Sequence, residues 1–339
     1  MAVMNVLEKI GRVLARRKVV LRWLFFVLAV GGLVWLLDSV GWSTIGGALA
    51  HVGLGGGAVI LAFSVCENLG DAASLRAALP RKIGLFEVMT YNCAGAIAND
   101  LLPVEAGEVL KATLVSARIG AQDSIAGTVV WNYVFKFVRP AMALLAALSA
   151  SIIGTQVNQA AGWTVVAASV VAFVPFAVLV LLVRRGAARL AVRLAQLVGL
   201  GRNAPEHWIA AASHLDERIR HFRKERPGDF RRVIGYQLLA RTASWLMHVA
   251  VIRAIGLDLD LATCTILYAG FSMAHYLVTL MPAKLGVGEG AGYMVFSAFG
   301  LDGGTGVIVY VVLRLRTLVT SGIPGLFAVL SHRRGRLEA

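Results

Sequence analysis

The sequence predicts an all-α polytopic membrane protein with about six transmembrane helices and two re-entrant helical hairpins, arranged as an inverted-topology repeat. Composition gives the first reason. Of 339 residues 58% are hydrophobic and 15% charged, with mean hydropathy +0.73, too little polar surface for a water-soluble domain of this length. Charge placement gives the second. The net +14 resides in residues 1–22, 184–232 and 331–339, and the rest of the chain is neutral. Basic residues confined to the flanks of apolar runs follow the positive-inside rule, which puts those flanks and both termini in the cytoplasm. The third is a pair of breaks. Leu101-Leu102-Pro103-Val104-Glu105-Ala106-Gly107-Glu108 and Leu280-Met281-Pro282-Ala283-Lys284-Leu285-Gly286-Val287-Gly288-Glu289-Gly290 share one order of parts, each between apolar runs. Proline and glycine interrupt a helix, and broken backbone at membrane depth survives only inside protein or beside a watered cavity. Two such breaks in corresponding halves point to the binding site of a transporter built from repeats.

The elements follow in order. Span one is Val19–Leu37, long enough for a ~30 Å core, with no small-residue cleavage site that would make it a removable signal. The nearly uncharged 38–54 segment suits the outer side. Span two, about 55–79, carries Glu67, Asp71 and Arg76, and a spacing of four puts Glu67 and Asp71 on one inward face. They either line a cavity or pair with Arg76 or Arg241. The first broken segment runs from Leu85 to about Leu114, with Asn99, Asp100, Glu105 and Glu108 near its tip. Span three, about 126–153, holds Lys136 and Arg139, and the uncharged 154–161 loop lies outside. Span four is about 163–183. Residues 186–230 read as amphipathic helices on an anionic inner leaflet. His207, His214 and His221 there lack the tight spacing of metal ligands, so no metal is expected. Span five, about 233–254, carries Arg241, His248 and Arg253. The second broken segment is about 261–300. Span six, about 305–330, holds Arg314, Arg316 and Pro324. Eight full crossings would place the basic clusters equally well. The re-entrant count is preferred because the broken halves are short, and it makes repeat 1 about 19–153 and repeat 2 about 163–330.

Several chemistries are excluded or left open. Basic charge without a recognition motif does not make a nucleic-acid site. Cys66, Cys93 and Cys264 sit at unrelated spacings in apolar runs and read as buried hydrophobes. Gly286-Val287-Gly288-Glu289-Gly290-Ala291 matches a dinucleotide fingerprint only in form, since no strand precedes it. No cofactor, no ATP-binding loop and no nucleophile–base set is visible, so the chain is not expected to be an enzyme. The glycines either expose backbone N–H groups to an anion at a half-helix N-terminus or allow close helix packing. Glu108 and Glu289 either meet a proton or a headgroup amine, or are salt-bridged to neighbouring cations. Lys136, Arg139, Arg241, Arg314 and Arg316 suit a lipid phosphate, with buried structural pairs as the alternative. Arg314 and Arg316 lie about 200° apart on a helix, so one of them is expected to pair structurally.

Leu102-Pro103-x-x-x-Gly107-Glu108-x-x-Lys111 and Met281-Pro282-x-x-x-Gly286-Val287-x-Glu289 resemble the paired signatures of a flippase-like family. It comprises the transmembrane region of lysylphosphatidylglycerol synthases, a group of uncharacterised membrane proteins and hopanoid-associated membrane proteins. The span with Arg316 leading to Pro324-Gly325 is similar to that family's closing helix, and the resemblance covers roughly 15–330. Lys111 stands where the family usually has Arg, and Gly288 where it has a polar residue. The resemblance implies a lipid translocase of the inner membrane, moving a polar, anionic or zwitterionic lipid between leaflets. Phospholipid, polyprenyl-phosphate and hopanoid classes, and homo-oligomerisation, stay open. The expected lipid-binding residues are Pro103, Gly107, Glu108, Lys111, Arg241, Pro282, Gly286, Gly288, Glu289 and Arg316. Glu67, Asp71, Asn99, Lys136, Arg139 and Arg314 are secondary. The aminoacyltransferase part of full synthases is not expected, with nine residues after span six. The alternative function is a non-transporting subunit that scaffolds a lipid-modifying enzyme through 186–230.

Overall fold

The computed structural model describes residues 37–80, 83–101, 106–154, 159–184, 224–279 and 286–337, with isolated positions at 31, 34, 35, 217 and 222. Most of span one, most of the 186–230 insert with His207, His214 and His221, and the break residues Pro103, Glu105 and Pro282 lie outside the described residues.

Among the described residues the chain is helical throughout, without strands: α1 Trp42–Ala78, α2 Leu85–Leu101, α3 Ala106–Ile119, α4 Ala121–Ile153, α5 Gln159–Arg184, α6 Pro227–Ala254, α7 Leu261–Thr279, α8 Val287–Ala298, α9 Gly303–Thr317, a π-helical turn Leu318–Gly322, and α10 Ile323–Leu337. Trp42–Ala78, Ala121–Ile153 and the run Gly303–Leu330 are long and apolar enough to cross a membrane. Their lipid-compatible outer faces carry Leu54, Ile152, Ile153 and Phe327, all well exposed. The protein is an all-helical integral membrane protein. The segment 38–54 is largely helical. Helix α1 starts at Trp42 and bends at Gly53, whose φ of 58° and ψ of −178° only glycine adopts without strain.

Small residues set the packing. Helices α1 and α6 run antiparallel, because Gly70 meets Ala240 and Gly56 meets Ala254. A Cβ on Gly70 would stand 2.9 Å from that of Ala240 and 3.1 Å from its Cα, so only glycine allows this approach. Helix α2 packs on α10, where a Cβ on Gly325 would lie 2.9 Å from the backbone of Ala94. Helix α7 packs on α4 through Ala143, Ala147, Ala269 and Met273. Helix α3 returns along α2 and α4, and α8 along α7 and α9. The four broken-segment helices have 17, 14, 19 and 12 residues. At 1.5 Å per residue, α3 and α8 reach only about 21 and 18 Å.

Pro324 explains the π-turn. A proline cannot donate to the carbonyl four residues back, which is that of Thr320. The helix widens over Leu318–Gly322, and the Thr320 carbonyl accepts instead from Asn68 Nδ2 at 3.2 Å.

Candidate functional site

The inward faces of α1, α2, α3, α4, α6, α7 and α9 enclose a cavity of about 390 Å³. Its wall includes Lys111, Lys136, Arg139, Arg241, Arg314 and Arg316, six cations, against three carboxylates, Glu67, Asp71 and Glu108. Among the described residues the wall therefore has three positive charges in excess. Amides and aromatics fill the gaps: Asn68, Asn92, Asn99, Asn132, Trp131, Phe135, Phe271 and Tyr310, with His248 and His275.

The charges are bonded in a few groups. Arg241, 3% exposed, donates from Nη2 to both oxygens of Asp71 at 2.7 and 2.8 Å, and from Nη1 to Glu67 at 3.2 Å. Gln237 Nε2 completes the Asp71 shell at 3.0 Å. Arg316 Nη1 reaches the other Glu67 oxygen at 2.8 Å and Ser64 Oγ at 3.0 Å. Glu67 thus holds one guanidinium from α6 and one from α9. Arg76, the other expected partner, donates to the Ile83 carbonyl instead. Both Arg241 and Arg316 keep a buried Nε without a hydrogen-bond partner.

Lys111 is almost fully buried, 3.7 Å above the Trp131 ring and 3.2 Å from Glu108. Asn99 ties this corner together by donating to Glu108 at 3.3 Å and accepting from the Gly107 N–H at 2.8 Å. The other broken segment repeats the device. Glu289, 1% exposed, accepts from the Gly286 N–H at 2.9 Å and from Arg314 Nε at 3.0 Å. Arg314 also lies over the Tyr310 ring, and Arg139 and Arg241 flank Phe135. His248 Nδ1 bonds the Ser244 carbonyl at 2.7 Å.

Of the residues singled out in the sequence, Glu67, Asp71, Asn99, Glu108, Lys111, Lys136, Arg139, Arg241, Arg314 and Arg316 come together on this wall. Glu289 stands behind it and pairs with Arg314. Gly107 and Gly288 serve close packing, the first against Gly95 and Asn99, the second against the Tyr310 ring. The Gly107 and Gly286 N–H groups are occupied by Asn99 and Glu289, so neither is a bare anion donor. Arg314 and Arg316 both line the cavity and both pair. A two-residue offset separates their Cβ atoms, but the long side chains converge from opposite flanks of α9. Sequence reasoning passed over Asn68, Asn92, Asn132, Trp131 and Phe135. The three amides could have been found as hydrogen-bonding groups inside apolar runs. Trp131 and Phe135, stacked at 5.2 Å, gave no such signal.

Membrane-length helices around a charged cavity define an integral membrane protein with a polar interior. The model for the lysylphosphatidylglycerol synthase transmembrane region matches residues 22–325, and the chain belongs to that family. No match was found among curated proteins or among solved structures.

Proposed function

We propose that the protein is a lipid translocase that carries a phosphate-bearing, anionic or zwitterionic lipid between leaflets of the inner membrane, its headgroup passing through the charged cavity. The carrying observation is the excess of cations on the wall of a cavity set among membrane-length helices. A bare phosphate in low dielectric is prohibitively unstable, so its charge must be offset throughout passage. Lys111, Arg241, Arg314 and Arg316 each rest on a carboxylate, which holds them in place. An entering phosphate competes for the same guanidiniums, and arginine suits it through paired N–H donors. Because Glu67 is shared by Arg241 and Arg316, releasing one leaves it bonded to the other. The unpartnered Nε groups of both arginines add donors. No chemistry on the lipid belongs to this reading.

The topology of the proposal is an inverted repeat of six spans and two re-entrant hairpins, with both termini cytoplasmic. The reciprocal packing supports it: α1 pairs antiparallel with α6, while the first hairpin packs on the last helix of the second half and the second hairpin on the last helix of the first. The short α3 and α8 support re-entrance.

The test is movement of fluorescent phospholipid in reconstituted vesicles, read by quenching from outside. Arg316→Ala and Glu289→Ala should each abolish movement with the fold retained, and Arg316→Lys should keep part of it because the charge remains without the fork. Parent-like rates in both alanine variants would remove the cavity from the path. A parent protein that moves no lipid would favour the scaffolding role.

A further inference from the structure

Beside the charged cavity lies a second one, also about 390 Å³, cut between α3 and α4 and mainly apolar. Val109, Ala112, Ile125 and Val129 line it. Its rim is open, since Val109 and Ile125 are 68% and 51% exposed, and in an integral membrane protein such apolar faces meet hydrocarbon. Glu108 and Asn132 line both cavities, so the groove adjoins the charged chamber. From Glu108 to Ser116 it follows nine residues of α3, a rise of about 12 Å.

At the junction two buried polar groups have no partner in the protein. Thr128, 5% exposed, lines the groove with an unbonded Oγ1, and Trp131, 3% exposed, lines the chamber with an unbonded Nε1–H. Three residues apart, they project from neighbouring positions on one face of α4. Buried polar groups in this state are rare in folded proteins. Both can donate, and a groove-bound molecule would have to present acceptors between its charged end and its apolar end.

We propose that the α3–α4 groove seats one acyl chain of an ester-linked glycerophospholipid, with an ester carbonyl at Thr128 and Trp131 and the phosphate in the charged chamber. This rests on the translocase reading and narrows its substrate class. Ester carbonyls are pure acceptors placed between phosphate and chain, matching the two donors. A polyprenyl phosphate offers a chain and a phosphate but no acceptor between them. The groove holds the first part of the chain and the open rim releases the rest to the bilayer.

The experiment uses the full chain in phospholipid nanodiscs and two photoreactive phosphatidylglycerols, one with the diazirine near the glycerol end of an acyl chain and one with it on the headgroup. The acyl probe should label Val109, Ala112, Ile125 or Val129, and the headgroup probe the chamber wall. Ala112→Trp fills the groove and should remove acyl labelling there while headgroup labelling persists. Ile125→Trp, at an exposed position, gives the same reading should Ala112→Trp fail to fold. Competition by ester-linked lipid should exceed that by its ether-linked counterpart about threefold to tenfold, one neutral hydrogen bond's worth. Thr128→Val should narrow the difference. Acyl labelling elsewhere, or ether lipid competing equally, overturns the inference while chamber labelling leaves the translocase reading standing. Failure of both probes to label removes both.

Discussion

Arg241→Met tests how much of the bundle depends on its central charge group. The substitution keeps a long apolar stem between α1 and α6 and removes the guanidinium. Glu67 retains Arg316 at 2.8 Å, but Asp71, 9% exposed, keeps only the Gln237 amide at 3.0 Å. Deleting one partner of a buried pair costs about 3–5 kcal/mol, because a buried charge is left uncompensated. That is roughly two to three and a half decades in the folding equilibrium. Asp71→Leu combined with Arg241→Met should recover most of the loss, since an apolar pair of similar volume removes both desolvation terms. The measurement is unfolding in mixed detergent micelles followed by helicity, with all three variants at one pH and salt. A single variant within about 1 kcal/mol of the parent, or a double variant no better than the single, would refute the reasoning.

Glycine substitutions should divide by their surroundings. In Gly292→Ala the new Cβ meets the Gly306 carbonyl oxygen at 2.5 Å, so α8 and α9 must separate at a cost of about 1–3 kcal/mol. Gly290→Ala has nothing within 4 Å and should be neutral or gain up to about 1 kcal/mol of helix propensity; one unfolding series compares them. Asp302 caps α9 by accepting from the Thr305 N–H at 2.7 Å and its hydroxyl at 2.8 Å, so Asp302→Ala should cost about 1 kcal/mol. The Thr305 hydroxyl, then its N–H, hold the carboxyl below its ordinary value of 3.8. The cap's contribution is thus complete above that value and disappears as pH falls through the lower folded one, so parent and variant should converge in acid. Single cysteines at Lys82 and Arg118 should both label from the cytoplasmic side, and those at Gly256 and Asp302 from outside. Opposite-side labelling within either pair would remove the re-entrant topology.

What was legible in the sequence was what periodicity and dielectric cost make explicit. Apolar length located the helices, and the proline–glycine breaks located the interruptions between α2 and α3 and between α7 and α8. The intramembrane charges announced themselves because each is expensive unless it faces an opposite charge or a watered interior, and ten of those singled out do line one chamber or stand against it. Their partnership was not legible. Glu67 lies 174 positions from Arg241 and 249 from Arg316, and spacing rules reach only neighbours on one helix. The bend at Gly53 escaped because glycine in an uncharged stretch reads equally as loop or as helix.

The glycines near Glu289 illustrate the remaining ambiguity and how contact geometry decides it. From sequence, Gly288 could present backbone to an anion or admit a neighbour. A Cβ there would fall on the Tyr310 ring, so close packing is its role, and the ring it admits stands on the chamber wall beneath Arg314. Packing and charge placement are therefore one arrangement here rather than rival readings. A small residue brings α8 against α9, Tyr310 fills the space, and Glu289 reaches Arg314 from behind at 3.0 Å. Glu108 plays the matching part from within the chamber, holding Lys111 while Gly107 packs against Gly95. In each broken segment a glycine sets the distance and the following carboxylate sets the cation, which is why the two were found together in the sequence twice.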